Sequence, residues 1–256
     1  MIGHPIAQVK SLAPINAYFA SAKIDACMAP IDIEPERVAA FFDFVRGWKN
    51  CIGVSITLPH KQAAFAACDT LSWNARIARA VNIIRRQDDG MLHGDMTDGV
   101  AFCGEIARKG VKIEGASFLL IGAGGAGSAV AHAMADAGAA AIAIVEIDAA
   151  RRNALAASLR EHHPKIEIRV DVDASFPANV VLNATPLGMK DGDALPIGFE
   201  RIAPQALIAD AVTKPVMTKW LLAARVRGHA IQTGEEMALA QLPVQLPFWG
   251  FDFPDK

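Results

Sequence analysis

The sequence is poor in every feature that would tie it to nucleic acid, to a membrane or to a structural metal. Its 256 residues hold 25 Lys and Arg against 27 Asp and Glu, a formal net charge of −2. With no basic excess there is nothing to neutralise a phosphate backbone, so nucleic acid is excluded as the main partner. The most apolar stretches, near 118–123 and 137–145, are well short of the ~18 residues of a membrane span. Only four cysteines occur, Cys27, Cys51, Cys68 and Cys103, and no two of them make a C-x-x-C pair. That disfavours a zinc ribbon or a disulfide framework, and the four read as reduced thiols. The histidines show no H-E-x-x-H spacing and there is no G-x-S-x-G elbow, so neither a metal site nor a serine nucleophile is expected. Met1-Ile2-Gly3-His4-Pro5 lacks the basic start and apolar core of a secretory signal. The expectation is a cytoplasmic monomer or homodimer acting on a small molecule.

Apolar residues are plentiful. At 52% hydrophobic and 20% charged, the chain has ample material for a buried core, and its length suits one to two domains. β-rich runs alternate with helical patterns, which argues for parallel sheets covered by helices. Residues 52–58 read as a short buried strand stopped by Pro59, with helix over 61–67, so the junction carries Pro59-His60-Lys61. Residues 80–84 read as another strand and Asp88-Asp89-Gly90 as a turn. A polar segment over 93–99 opens a helix over 100–109, and a domain boundary is placed there. Residues 117–121 and 141–145 read as strands, with an alanine-rich helix between them that ends near Gly138. A further helix over 149–162 ends in His162-His163, which suits the helix dipole. Later strands are expected at 180–183, 206–209 and 230–231, with helix at 216–227. From Glu235 the chain reads as helical and then broken by Pro243, Pro247 and Pro254.

The clearest motif lies in the middle. A strand, then Gly122-Ala123-Gly124-Gly125-Ala126-Gly127, then a helix is the dinucleotide fingerprint in its required context. Gly122 makes the tight turn, Gly124 lets the backbone approach a diphosphate, and Gly127 lets the helix pack close to the strand. The diphosphate would lie on the helix N-terminus, where unpaired N–H groups and the dipole favour an anion. Glu146 and Asp148 follow Gly122 by 24 and 26 residues, near where a carboxylate binds the adenosine ribose of NAD. Both would repel a 2′-phosphate, and no Arg follows the strand immediately, so NAD is expected in preference to NADP. Asp148 also reads simply as the N-cap of the next helix.

Six collinear segments then resemble the shikimate/quinate dehydrogenase family: Gly3-His4-Pro5-Ile6-Ala7 with Lys10-Ser11, Ser55-Ile56-Thr57-Leu58-Pro59-His60-Lys61, Ala80-Val81-Asn82, Gly94-Asp95-Met96-Thr97-Asp98-Gly99, Gly122-Ala123-Gly124-Gly125-Ala126, and Asn183-Ala184-Thr185-Pro186-Leu187-Gly188-Met189. The resemblance implies an α/β substrate domain over 1–97 and a doubly wound Rossmann NAD(P)-binding domain over 98–230. A cleft would lie between them, and 231–256 would return to the first domain. It implies oxidation of a ring hydroxyl of a cyclic polyhydroxy acid, with Lys61 and Asp98 matching the family's catalytic lysine and aspartate. Read alone, Lys61 is a helix-start lysine and Asp98 a turn or N-cap aspartate. Ser11, Thr57, Asn82 and Gln241 match substrate-binding positions, while Thr185, Met189 and Gly234 match positions beside the nicotinamide. Val9 stands where the family has a first carboxylate-binding Ser, Ser55 and Met96 replace Asn residues, and Thr213 falls near an expected Tyr. An altered carboxylate clamp, with weak activity on shikimate and a differently substituted or amino-substituted ring as substrate, is the resulting expectation. A catalytically silent dinucleotide-binding protein is the alternative from another class.

Overall fold

Short apolar strands alternating with alanine-rich helices build two α/β units in the computed structural model, which describes residues 1–7, 9, 11–170 and 176–253. Lys10 and Pro254, both noted in the sequence, lie outside the described residues. One unit is Met1–Asp98 with Ala238–Lys256, the other Gly99–Met237. The division falls a residue later than expected at the first boundary and seven later at the second. Residues 231–237 stay with the second unit because they supply its edge strand and Met237 packs in its core.

The first unit begins with β1 (Ile2–Gly3), α1 (Leu12–Ser21), β2 (Ile31–Asp32) and α2 (Val38–Gly47). It continues with β3 (Gly53–Ser55), α3 (Lys61–Ala67), β4 (Thr70–Leu71), α4 (Trp73–Ala78), β5 (Ile83–Arg86) and β6 (Leu92–Asp95). The sheet order is β3-β5-β6-β4, with β1 and β2 a separate parallel pair bridged to Ile56 through Ile2.

Three expectations change here. The strand expected over 52–58 keeps only Gly53–Ser55, because Thr57 N–H leaves the sheet for the Ile2 carbonyl. The strand expected over 80–84 starts only at Ile83: Arg79 ends α4 in the left-handed region, and Val81 N–H bonds the Lys61 carbonyl. The segment taken as polar at 93–99 opens with the last three residues of β6, a central strand whose Leu92 and Gly94 face inward while His93 and Asp95 are half-buried.

The second unit opens with α5 (Asp98–Arg108), whose first residue belongs to the preceding unit. It runs through β7 (Ser117–Ile121), α6 (Gly125–Asp136), β8 (Ala141–Val145), α7 (Ala149–His162), β9 (Glu167–Arg169), β10 (Val180–Asn183), β11 (Leu207–Asp210), α8 (Lys219–Val226), β12 (Ile231–Gln232) and α9 (Gly234–Leu239). All six strands are parallel, in the order β12-β11-β10-β7-β8-β9. The order of successive strands reverses between β7 and β10, with β8 and β9 added on one side and β11 and β12 on the other, so this is the doubly wound arrangement with its ligand-binding crevice expected at that switch point. Phe102, Ile106, Phe118, Leu120, Val130 and Ile144 are among the residues filling one face. His163 does not end α7 as a free cation: its Nε2 lies 3.0 Å from Nδ1 of His132, and burial holds its pKa down.

The chain finishes with α10 (Leu242–Phe248) in the first unit. Pro243 does not break this helix, since it occupies the first turn where no N–H is needed. Pro247 sits within the last turn. Leu246 and Trp249 pack with Ile15, Phe19 and Ile83, and Trp249 Nε1 donates to the Ile84 carbonyl at 2.9 Å.

Candidate active site

In the first unit, four segments far apart in sequence deliver side chains to one spot. Lys61 is the first residue of α3, following the Pro59-His60 turn. His60 is buried and bonds the Ile33 carbonyl through Nε2 at 2.8 Å, so it anchors the turn by packing. Asn82 precedes β5, Asp98 begins α5, and Gln241 precedes α10. Lys61 Nζ donates to Asp98 Oδ2 at 2.5 Å, with the two side chains only 14% and 4% exposed. Asp98 Oδ1 accepts from Asn82 Nδ2 at 2.8 Å and from Gln241 Nε2 at 3.1 Å. Asn82 is oriented by a backbone donor, Thr97 N–H, at 2.9 Å from its Oδ1. A buried ion pair whose carboxylate is also satisfied by two amides meets the conditions for a charged pair to persist away from water.

Thr57 lies just before this helix, half-buried, and its hydroxyl has no hydrogen-bond partner among the described residues. Ser11 is buried at the start of α1, does not cap it, and its hydroxyl faces Met1 Sδ at 3.7 Å. The structure thus gathers Lys61, Asp98, Asn82 and Gln241 into one hydrogen-bonded group. Ser11 and Thr57 make no bond to it. Sequence reasoning missed Gln245, which is buried and donates to Gln241 Oε1 at 2.6 Å. Its spacing of four from Gln241, one helical turn, was the available signal.

In the second unit the sequence-expected residues collect at the C-terminal ends of β7, β8 and β10. Gly122 has φ +100°, and a Cβ there would come within 2.8 Å of Thr185 Cγ2. A Cβ on Gly127 would lie 2.1 Å from the Gly122 carbonyl oxygen, so only glycine lets α6 start this close to the turn. A Cβ on Gly124 would meet nothing within 4 Å, and no side chain caps α6. The loop therefore offers open space before uncapped N–H groups near Gly125 and Ala126, and the residues present fit a diphosphate.

Glu146 braces this loop. Its Oε2 accepts from Ala123 N–H at 2.9 Å and its Oε1 from Asp148 N–H at 3.0 Å. Asp148 caps α7 by accepting from Ala150 and Arg151 N–H, and its other oxygen takes Arg151 Nε at 3.1 Å. These bonds, the Arg151 backbone N–H first, hold the Asp148 carboxyl below the usual range. The capping reading of Asp148 is the one the structure displays.

Thr185 bonds Asn183 Oδ1 through both its N–H and its hydroxyl, at 3.1 and 2.6 Å. Asn183 in turn donates to Asp210 Oδ1 at 3.0 Å. Asp210 is buried and also accepts from Thr218 Oγ1 at 2.8 Å, with its pKa raised to about 6 by burial. Met189 lies half-buried in the same loop, and Gly234 opens α9 where a Cβ would come within 2.3 Å of the Val212 carbonyl.

Residues 1–84 match the sequence pattern described as "Shikimate dehydrogenase substrate binding domain". Over 266 residues the chain is 37% identical to shikimate dehydrogenase (NADP(+)) of Rubrobacter xylanophilus, covering 100% of this chain and 91% of that protein. The chain belongs to the shikimate dehydrogenase family. Among solved structures of this family, shikimate 5-dehydrogenase of Thermus thermophilus, in complex with NADP(H) and shikimate, is 30% identical with a TM-score of 0.86, over 99% of this chain and 93% of that one. A ligand-free 5-ketofructose reductase of Gluconobacter sp. has the same fold, at 26% identity and a TM-score of 0.84 over 99% and 92% of the two chains. Family membership establishes the fold as an N-terminal substrate-domain architecture joined to a Rossmann-type parallel sheet. Among the described residues no helix is long and apolar enough to cross a membrane.

Proposed function

We propose that the chain is an NAD(P)-dependent oxidoreductase that interconverts a ring hydroxyl and its ketone on a shikimate- or quinate-like cyclic polyhydroxy acid. The observation that carries this reading is the buried Lys61–Asp98 pair, held by Asn82 and Gln241 at the family's motif positions. A bound nicotinamide dinucleotide would exchange a hydride with the carbinol carbon. In the reducing direction the Lys61 ammonium gives a proton to the carbonyl oxygen, and in the oxidising direction Lys61 takes it. Asp98 keeps the ammonium in place and balances its charge. Ser11, Thr57, Asn82 and Gln241 are assigned to the substrate's oxygens. The glycine loop, Gly122 to Ala126, is assigned to the diphosphate, and Thr185, Met189 and Gly234 to the nicotinamide end.

NAD is the cofactor we assign in preference to NADP. Two carboxylates, Glu146 and Asp148, follow β8, with Ile147 between them 97% exposed. The nearest cation, Arg151, is engaged by Asp148 at 3.1 Å and lies 4.0 Å from Glu146. A 2′-phosphate would have to draw Arg151 away from Asp148, since Arg152 is turned to the Glu146 carbonyl at 3.2 Å. The family relatives named for NADP(+) give the opposing expectation, so the cofactor is measured, not inherited.

A second reading concerns the substrate. Val9 offers no hydroxyl where the family's first carboxylate-binding Ser is expected, and Ser11 faces a thioether. Each hydrogen bond lost to a carboxylate costs roughly 1.5–3 kcal/mol, or about one to two powers of ten in affinity. The likeness to a 5-ketofructose reductase is consistent with a less acidic substrate. One panel tests all three readings: shikimate, quinate, an amino-substituted analogue and ketosugars, each with NAD and with NADP. Turnover of a ring acid with NAD favoured by at least about tenfold is expected. No turnover of any member contradicts the enzyme reading, a preference for NADP contradicts the cofactor assignment, and kcat/KM on shikimate within about 10⁴–10⁸ M⁻¹s⁻¹ contradicts the altered clamp.

A further inference from the structure

We propose that Gln245 is a positioning residue that fixes which way round the Gln241 amide stands, an inference that rests on the reading of Lys61, Asp98 and Gln241 as catalytic and substrate-binding groups. Gln245 is 3% exposed, on a helix whose neighbouring Leu246 and Trp249 belong to an apolar cluster with Ile15, Phe19 and Ile83. A buried amide in such surroundings is costly unless its bonds are made. Its Nε2 donates to Gln241 Oε1 at 2.6 Å and reaches Thr97 Oγ1 at 3.4 Å.

An amide carries an acceptor on one side and two donors on the other, so turning it over reverses every bond it makes. Gln241 presents its nitrogen to Asp98 Oδ1 at 3.1 Å and its oxygen to Asn82 Nδ2 at 3.1 Å. Turned over, it would set oxygen against the carboxylate and nitrogen against two amide nitrogens. Asn82 alone is a poor guarantor of the correct side. Its Nδ2 has two hydrogens and three acceptors within reach: Thr97 Oγ1, Asp98 Oδ1 and Gln241 Oε1. Thr97 decides nothing, because a hydroxyl both donates and accepts. Gln245 supplies the shorter amide bond to that oxygen. It leaves one Gln241 N–H on Asp98 and the other for a substrate oxygen.

The test combines Gln245→Leu, Gln245→Glu and Gln241→Leu. Gln245→Leu keeps the bulk and removes the donor, and it is expected to lower kcat/KM for the ring substrate about tenfold. The loss should fall on the ring-substrate KM more than on the dinucleotide KM, with no fall in thermal midpoint. In a Gln241→Leu background the same change is expected to cost under about twofold, since the two act as one unit. Gln245→Glu, which offers only acceptors, is expected to cost more than Leu. Equal losses in both backgrounds, or no loss in either, would overturn the inference. A crystal structure of Gln245→Glu gives a readout independent of turnover: Gln241 is expected to have left hydrogen-bond distance of Asp98 Oδ1. An unmoved Gln241 overturns the inference even if the wild type proves active, whereas a wild type inactive on every substrate overturns the functional reading instead.

Discussion

The two units build their candidate sites from different material. In the first, the site is a set of side chains, Lys61, Asn82, Asp98 and Gln241, drawn from segments up to 180 residues apart and joined by bonds of 2.5–3.1 Å. In the second, it is mostly backbone: a glycine turn, uncapped N–H groups and loops braced by Glu146 and Asn183. A side-chain network specifies chemistry, since each member contributes a proton, a charge or an oriented amide. A backbone cradle specifies shape, and it tolerates almost any residue that does not fill the space. The lesson is that substitutions should separate turnover from dinucleotide binding according to which unit they touch.

The largest effect is expected from Lys61→Met. Loss of the proton donor should lower kcat by about 10²–10⁴-fold, while dinucleotide affinity stays unchanged. Calorimetric titration of the dinucleotide beside steady-state rates checks this. A variant that loses affinity as severely as rate would break the contrast between the units. Gly127→Ala should do the reverse. Its Cβ would stand 2.1 Å from a backbone oxygen, an overlap that costs about 1–3 kcal/mol and displaces the loop. Weaker dinucleotide binding and a lower thermal midpoint are expected, and an unchanged affinity would count against the loop as the cradle.

The smallest expected effect is on acid stability. His132 is buried between α6 and α7, and its pKa is lowered to about 3 by burial first and by His163 and His162 next. Unfolded, the same imidazole titrates near 6.5. As pH falls below that value the unfolded state takes up a proton that the folded state refuses, so stability declines from pH 6.5 towards 3. At pH 5 this amounts to roughly 2 kcal/mol. Asp210, with its pKa raised to about 6, opposes the decline, because below that pH the folded state binds the extra proton. Comparing wild type with His132→Gln isolates the histidine: the loss between pH 7 and pH 5, followed by urea unfolding, should be smaller in the variant. An equal loss in both would exclude His132 as its source.

Legibility followed the same division. The strand–glycine–helix unit was readable because its signal is local: Ser117–Ile121, the loop and α6 are contiguous, and Ala149–His162 and Val180–Asn183 lie where periodicity placed them. The first unit was read less well. α1, α4 and the two-residue strands gave too little periodicity to register, whereas α2 was passed over although Val38, Phe42 and Val45 recur at helical spacing. β6 was taken for a polar segment because His93 and Asp95 alternate with inward Leu92 and Gly94. Pro243 and Pro247 were read as breakers, although Pro243 stands in the first turn of α10, where a proline removes no bond, and Pro247 falls only in its last turn. Lys61 and Asp98 could be paired only through family resemblance, since nothing local connects residues 37 apart. Gln245 escaped altogether: a glutamine on a C-terminal helix looks like surface until its burial is known.

One measurement reaches the central claim most directly. The ring acid found active in the panel, carrying deuterium on its reacting carbinol carbon, is incubated with the oxidised dinucleotide and either wild type or Lys61→Met, and the dinucleotide product is examined by NMR. The account predicts deuterium in the reduced nicotinamide with wild type and at least a hundredfold slower transfer with the variant. Transfer at equal rates in both proteins, or none in the wild type, would contradict it.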